Sequence, residues 1–202
     1  LGDNGKSTLA SMISKVLKFK NFNTGAIYRC IALRIIENKL DVEDIDTVLK
    51  EIENIHIDFI DDKVFLDGKD VSKDIRTEQI SVCSTKWATI PKIKEFVRTF
   101  QKTFIKKYDT VIEGRDIATR IAPDADVKFY LYSDFETRVK RLWLQNTNEK
   151  IETIRKNLQE RDEVDLNGGN FVKPLNAIEI NTTNYTIDEV YNLMMQEINK
   201  RK

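Results

Sequence analysis

The sequence predicts an α/β fold: a parallel sheet of about five strands flanked by helices, with a small antiparallel β subdomain inserted. Three observations carry this expectation. Short apolar strands alternate with longer helical patterns, which gives a parallel sheet covered on both faces. Residues 55–68 break that rhythm with two-residue alternation of apolar and polar side chains. Gly5-Lys6-Ser7-Thr8 opens directly into an amphipathic helix.

The elements follow in order. Residues 7–18 read as a helix with Leu9, Met12, Ile13, Val16 and Leu17 on one face. Phe19 to Asn23 reads as a short strand, 25–38 as a second helix and 41–54 as a third. Ile55, Ile57 and Phe59, the Asp61-Asp62 turn, Val64 to Leu66 and Asp67-Gly68 form the antiparallel element. Helices are expected at about 77–89 and 91–107, the latter with Pro91 at its start. Thr110 to Ile112 and Val127 to Tyr132 read as strands. Ser133 and Glu136 suggest a capping box opening a helix to about 146, and another helix runs about 149–161. Ala177 to Asn181 is the last strand, and Thr186 with Glu189 caps the final helix.

Composition narrows the function classes. A chain of 202 residues is of single-domain length. Lys plus Arg and Asp plus Glu are both 33, so a generally basic nucleic-acid binder is disfavoured. Cys30 and Cys83 stand far apart in no ligand spacing, so no disulfide framework or zinc site is expected and a reducing compartment fits. The single histidine, His56, leaves no material for a His-based triad or metal site and reads as a plain strand residue. No apolar run is long enough to span a membrane, and the opening residues carry no signal-peptide pattern.

Gly5-Lys6-Ser7-Thr8 matches the end of the G-x-x-x-x-G-K-[ST] phosphate loop. Glycine lets backbone N–H groups turn inward to phosphate oxygens, and the helix N-terminus adds partial positive charge. Lys6 is placed to reach β and γ phosphates, and the Ser7 hydroxyl to hold Mg²⁺. The motif's first glycine, and the strand feeding the loop, are expected ahead of Leu1.

Further motifs stand in one order along the chain. Asn23-Thr24-Gly25-Ala26-Ile27-Tyr28-Arg29 follows the first helix and strand. Asp67 to Ser72 with Ile75-Arg76-Thr77 lies in the inserted region. Glu113-Gly114-Arg115-Asp116 and Pro123-Asp124-Ala125 flank the next turn, and Arg161-Asp162-Glu163-Val164-Asp165 comes later. With these the chain resembles the bacterial-type cytidylate kinases, the CMP/dCMP kinases among the P-loop nucleoside monophosphate kinases. The resemblance covers nearly the whole chain.

The resemblance implies ATP and Mg²⁺ as cofactors, CMP or dCMP as acceptor, and Lys6, Arg29 and Arg115 as the catalytic cations. Gly2, Asp3, Asn4, Gly5, Lys6, Ser7, Thr8 and Arg141 then fall on the ATP side, with Ser7 on the metal. Thr24, Tyr28, Arg29, Thr85, Lys94, Arg115, Asp116, Arg161 and Asp165 fall on the acceptor side. Asp116 would take the cytosine amino group, and Arg161 and Asp165 the sugar hydroxyls. It also implies a core of 1–36 and 81–202, a monophosphate-binding insertion near 37–80 and a lid near 140–170. A cytoplasmic monomer, with no nucleic-acid or membrane partner, is the matching expectation.

The sequence departs from the family pattern at four residues, and residues 144–150 are slightly shorter than the usual lid. Asn23 stands for the usual acidic residue, Ala118 for the glycine of G-R-D-x-G-T, Lys94 for an arginine and Gly168 for an arginine on the acceptor phosphate. Lys173 is a candidate replacement for that last cation. Arg138 and Arg141 fit either a lid over ATP or a solvated helix face, and Asp165 either a sugar ligand or a loop residue. Another acceptor such as UMP, or a binding protein with reduced turnover, is the alternative. A GTPase switch is disfavoured because Asn38-Lys39-Leu40-Asp41 precedes Asp165-Leu166-Asn167-Gly168, the wrong order.

Overall fold

The computed structural model describes residues 5–41, 43–60, 62–145, 147, 149–167 and 173–201, without the side chains of Glu78, Val164 and Asp165. The chain divides into two compact units, Ser14–Gly114 and Leu1–Ile13 with Arg115–Lys202. The first elements are α1 (Lys6–Leu17), β1 (Lys20–Asn23), α2 (Thr24–Glu37), α3 (Ile45–Ile52), β2 (Ile57–Ile60), β3 (Lys63–Leu66) and β4 (Lys69–Asp70). Then come α4 (Glu78–Trp87), α5 (Pro91–Lys107), β5 (Thr110–Glu113), β6 (Phe129–Tyr132), α6 (Phe135–Gln145), α7 (Ile151–Asn167), β7 (Ile178–Asn181) and α8 (Ile187–Asn199).

The Ser14–Gly114 unit is organised by α2. Its apolar residues recur every three or four positions, so one broad face, including Ile27, Ile31 and Ile35, is buried. The Asn23 side chain caps the helix by accepting the Ala26 N–H. Helices α3, α4 and α5 pack against it. β1 and β5 pair in parallel, Lys20 opposite Thr110 and Asn23 opposite Glu113. Phe22 on β1 is 0% exposed and meets the rings of Phe59 and Phe104 at centroid distances of 4.8 and 4.5 Å. Burying a side chain of this size contributes about 1.5–3 kcal/mol.

The inserted element is a three-stranded antiparallel sheet in the order β2-β3-β4, as the alternation predicts. Its second turn carries Asp67 at φ 50° and Gly68 at φ 82°, so both central residues are left-handed, as a tight Asp-Gly hairpin requires. Arg34 of α2 ties this turn down by pairing with Asp67, and it reaches Glu51 of α3 at 3.4 Å. Cys30 and Cys83 are free thiols. Burial pushes the Cys30 thiol up to about 12, so it stays protonated and inert.

In the second unit, β6 and β7 pair in parallel, Phe129 opposite Ile178 and Tyr132 opposite Asn181. Helices α6 and α7 pack together around Val139, Ile154 and Leu158. The cap of α6 differs from expectation: Asp134, not Ser133, accepts the Thr137 N–H at 2.7 Å and its hydroxyl at 2.8 Å. A carboxylate at this position holds both donors, and they keep Asp134 below the usual carboxylate range. The Thr186–Glu189 box of α8 is complete in both directions. α7 is longer than expected and runs to Asn167, so residues 161–165 are helical rather than loop. Among the described residues the parallel strands are four, as two hydrogen-bonded pairs.

Candidate active site

Gly5 has φ +74° and leads straight into α1, whose Leu9 N–H donates to the Gly5 carbonyl at 3.0 Å. A Cβ on Gly5 would come within 2.8 Å of Ile187 Cδ1 on α8, so glycine meets both the backbone geometry and the close approach. Lys6, Ser7 and Thr8 form the first turn, with Ser7 and Thr8 exposed and no acidic residue among them. The turn therefore presents helix-terminal N–H groups, a cation and hydroxyls, and carries no carboxylate of its own. That donor set fits a polyphosphate, and the exposed Ser7 hydroxyl fits a magnesium ion that keeps most of its ligands as water and phosphate oxygen. Gly2, Asp3 and Asn4 lie outside the described residues.

In the Ser14–Gly114 unit, Thr24, Tyr28 and Arg29 occupy the first two turns of α2, the latter two half-buried. A Cβ on Gly25 would press to 3.2 Å on Asn23 Oδ1, so Gly25 makes room for the capping side chain. Thr24 Oγ1 donates to the Glu113 carbonyl at 3.0 Å and accepts from Gln101 Nε2 at 2.9 Å. Thr85 is exposed on α4, its hydroxyl donating to the Ser81 carbonyl at 3.0 Å. Lys94 is half-buried on the first turn of α5.

In the other unit, Arg115 is exposed and Asp116 half-buried just after β5. A turn of π-helix, Ile117–Ile121, follows at once and places Ala118 inside it. The Ala122 N–H closes the turn on the Ile117 carbonyl at 2.8 Å, and the Arg120 N–H donates to the Asp116 carbonyl at 2.9 Å. Such wide single turns are rare and cluster at functional positions. Nothing in the local sequence pattern signals it.

The family model for cytidylate kinase matches residues 2–200. The chain belongs to the cytidylate kinase family. A cytidylate kinase of Fusobacterium nucleatum is 34% identical over 98% of this chain and 94% of that protein. One of Clostridium botulinum (strain Okra) is 34% identical over 97% of this chain and 93% of its own. One of Clostridioides difficile is 33% identical over 96% and 93%.

In this family member, two of the expected site cations hold bonds within the protein. Arg141 donates to Thr182 Oγ1 at 3.1 Å and to the carbonyls of Thr182 and Tyr185 at 2.5 and 3.2 Å. It thereby fixes the connection between β7 and α8. Lys173 is paired with Glu179 at 2.6 Å, which holds its ammonium above the usual lysine range. Gly168, the position for which Lys173 is a candidate replacement, lies outside the described residues. Arg161 is exposed on α7, and residue 165 follows one turn later on that helix. The Asp165 side chain lies outside what is described.

By sequence pattern Asp162 has no assigned role, and Arg138 fits either a lid or a solvated helix face. Arg138 is 3% exposed and grips Asp162 with both guanidinium arms, at 3.0 and 2.6 Å. The pair joins α6 to α7 within the region read as a lid. Gln101 was likewise missed, because a lone Gln on an amphipathic helix carries no motif.

Proposed function

We propose that this chain transfers the γ-phosphoryl group of ATP to CMP and dCMP, giving ADP with CDP or dCDP. The observation that carries the reading is the family match over residues 2–200, which takes in each of the described candidate motifs. The glycine-led start of α1 supports the donor side.

An oxygen of the acceptor phosphate attacks the γ-phosphorus, and the bond from that phosphorus to the bridging oxygen of ADP breaks. A phosphate monoester is largely dianionic at neutral pH, with a second pKa of about 6, so no histidine base is needed. Catalysis rests on alignment and on neutralising charge. Residues 2–8 hold the donor phosphates, with Lys6 on the β and γ groups. Arg141 stands on the donor side by holding the loop before α8. Mg²⁺, when bound by Ser7 and the phosphates, offsets charge on the transferring group.

On the acceptor side, Arg29 and Arg115 take the CMP phosphate, for which guanidinium forks suit better than ammonium groups. Thr24 and Tyr28 support that end. Asp116, Thr85 and Lys94 face the base, and Arg161 and Asp165 the sugar. The insertion near 37–80 and the lid near 140–170 close over both substrates and exclude water. The chain works as a cytoplasmic monomer. Among its described helices none is long and apolar enough to cross a membrane.

The test is ADP release with Mg-ATP and, separately, CMP, dCMP, UMP, AMP or no acceptor. Turnover dependent on CMP and dCMP is expected; turnover with none of them sinks the activity. Arg115→Ala should raise the KM for CMP by about 10- to 100-fold, as expected for losing a charge-assisted contact worth about 1.5–3 kcal/mol. An effect confined to the KM for ATP would move Arg115 to the donor side.

A further inference from the structure

Gln101 sits in the middle of α5, on the face that also buries Ile93, Val97 and Phe104. It is 2% exposed. A carboxamide there is costly unless it is hydrogen-bonded, whereas Leu or Met would fill similar volume without that demand. Its Nε2 donates to Thr24 Oγ1 at 2.9 Å, and Thr24 Oγ1 donates to the Glu113 carbonyl at 3.0 Å.

This short relay ties three elements at one point. Thr24 is the first residue of α2, and the next turn of that helix carries Tyr28 and Arg29. Glu113 is the last residue of β5, and the chain continues from it into Gly114-Arg115-Asp116. β1 ends at the same level, because Asn23 is the register partner of Glu113. The hydroxyl proton of Thr24 is spent on Glu113 and one of its lone pairs on Gln101. Thr24 therefore serves as the joint between the two segments that supply the acceptor-side arginines.

We propose that Gln101 is a positioning residue for the acceptor phosphate site, acting through Thr24 on the α2 start and the β5 end. The inference rests on the CMP-kinase reading above. It deepens that reading by assigning the placement of the acceptor arginines to a side chain that need not touch the substrate.

The test uses the full chain with Q101M, T24V, T24S and Q101M/T24V, measuring Tm, kcat, and KM for CMP and for ATP. Q101M should raise the KM for CMP about tenfold, the scale of one hydrogen bond, and change the KM for ATP by less than about twofold. T24V, which breaks the relay from its other end, should do at least as much. T24S keeps the oxygen and should give a KM for CMP several-fold below that of T24V. The double variant should match T24V rather than the product of the two single effects, because both break one relay. If Q101M fails to fold, T24V against T24S carries the same comparison. A lowered Tm with an unchanged KM for CMP, or fully multiplicative effects in the double variant, overturns the inference alone. Absence of CMP-dependent turnover in the wild-type chain overturns the acceptor reading, and the inference with it.

Discussion

Lys6→Ala is expected to lower kcat by about 10²–10³-fold, the usual scale for losing one preorganised charge-stabilising group. Thermal stability should stay within a few degrees of wild type. The expectation follows from where Lys6 stands. It is the first residue of α1, directly after the left-handed Gly5. Phosphoryl transfer asks the protein for little covalent chemistry, so a cation on the transferring group accounts for much of the rate. The helix does not depend on this side chain, because Leu9, Ala10 and Ile13 bury its apolar face. Alanine is also the best helix former. Steady-state kinetics beside a circular-dichroism melt separates the two effects. Unchanged kcat would remove the phosphate-loop assignment, and a collapsed melt would show that Lys6 serves the fold instead.

The largest stability effect is expected at Arg138. Replacing it with Met leaves the Asp162 carboxylate in the α6–α7 interface without its bidentate partner. Breaking a buried pair from one side costs about 3–5 kcal/mol, because the remaining charge stays desolvated. For a chain of this length that lowers Tm on the order of 10 °C. The Phe135 ring, 5.4 Å from the guanidinium carbon, loses a cation–π contact as well. A double replacement, Arg138→Met with Asp162→Leu, should recover most of the loss, since an apolar pair of similar volume needs no mutual compensation. A Tm for Arg138→Met within a degree or two of wild type would show that the interface admits water and that the pair contributes little.

Most individual elements could be read from the sequence because their causes are local. Pro91 opens α5, Thr186 and Glu189 close a reciprocal cap on α8, and Asp67-Gly68 makes a tight hairpin turn. Each depends on residues at most a few positions apart. The same holds for the phosphate-loop residues, which declare themselves by spacing along a loop and a helix start. Where sequence reading placed an element differently, a better local competitor was at work. Asp134 displaced Ser133 as the α6 cap because its carboxylate serves two Thr137 donors at once. α7 ran on through residues 161–165 because a Gly or Pro that would stop it is absent until Gly168.

The sequence alone determined the fold class, nearly every helix and strand, and the residue types able to bind phosphate. It could do so because periodicity, capping and turn chemistry act over a few residues. Only the tertiary structure decided which polar side chains are committed to one another. Gln101 meets Thr24 across 77 positions, Arg141 meets Thr182 across 41, and Arg138 meets Asp162 across 24. No local pattern encodes such pairs. They exist because packing brings two helices, or a helix and a strand end, into contact, and burial then makes an unpaired polar group too costly to leave.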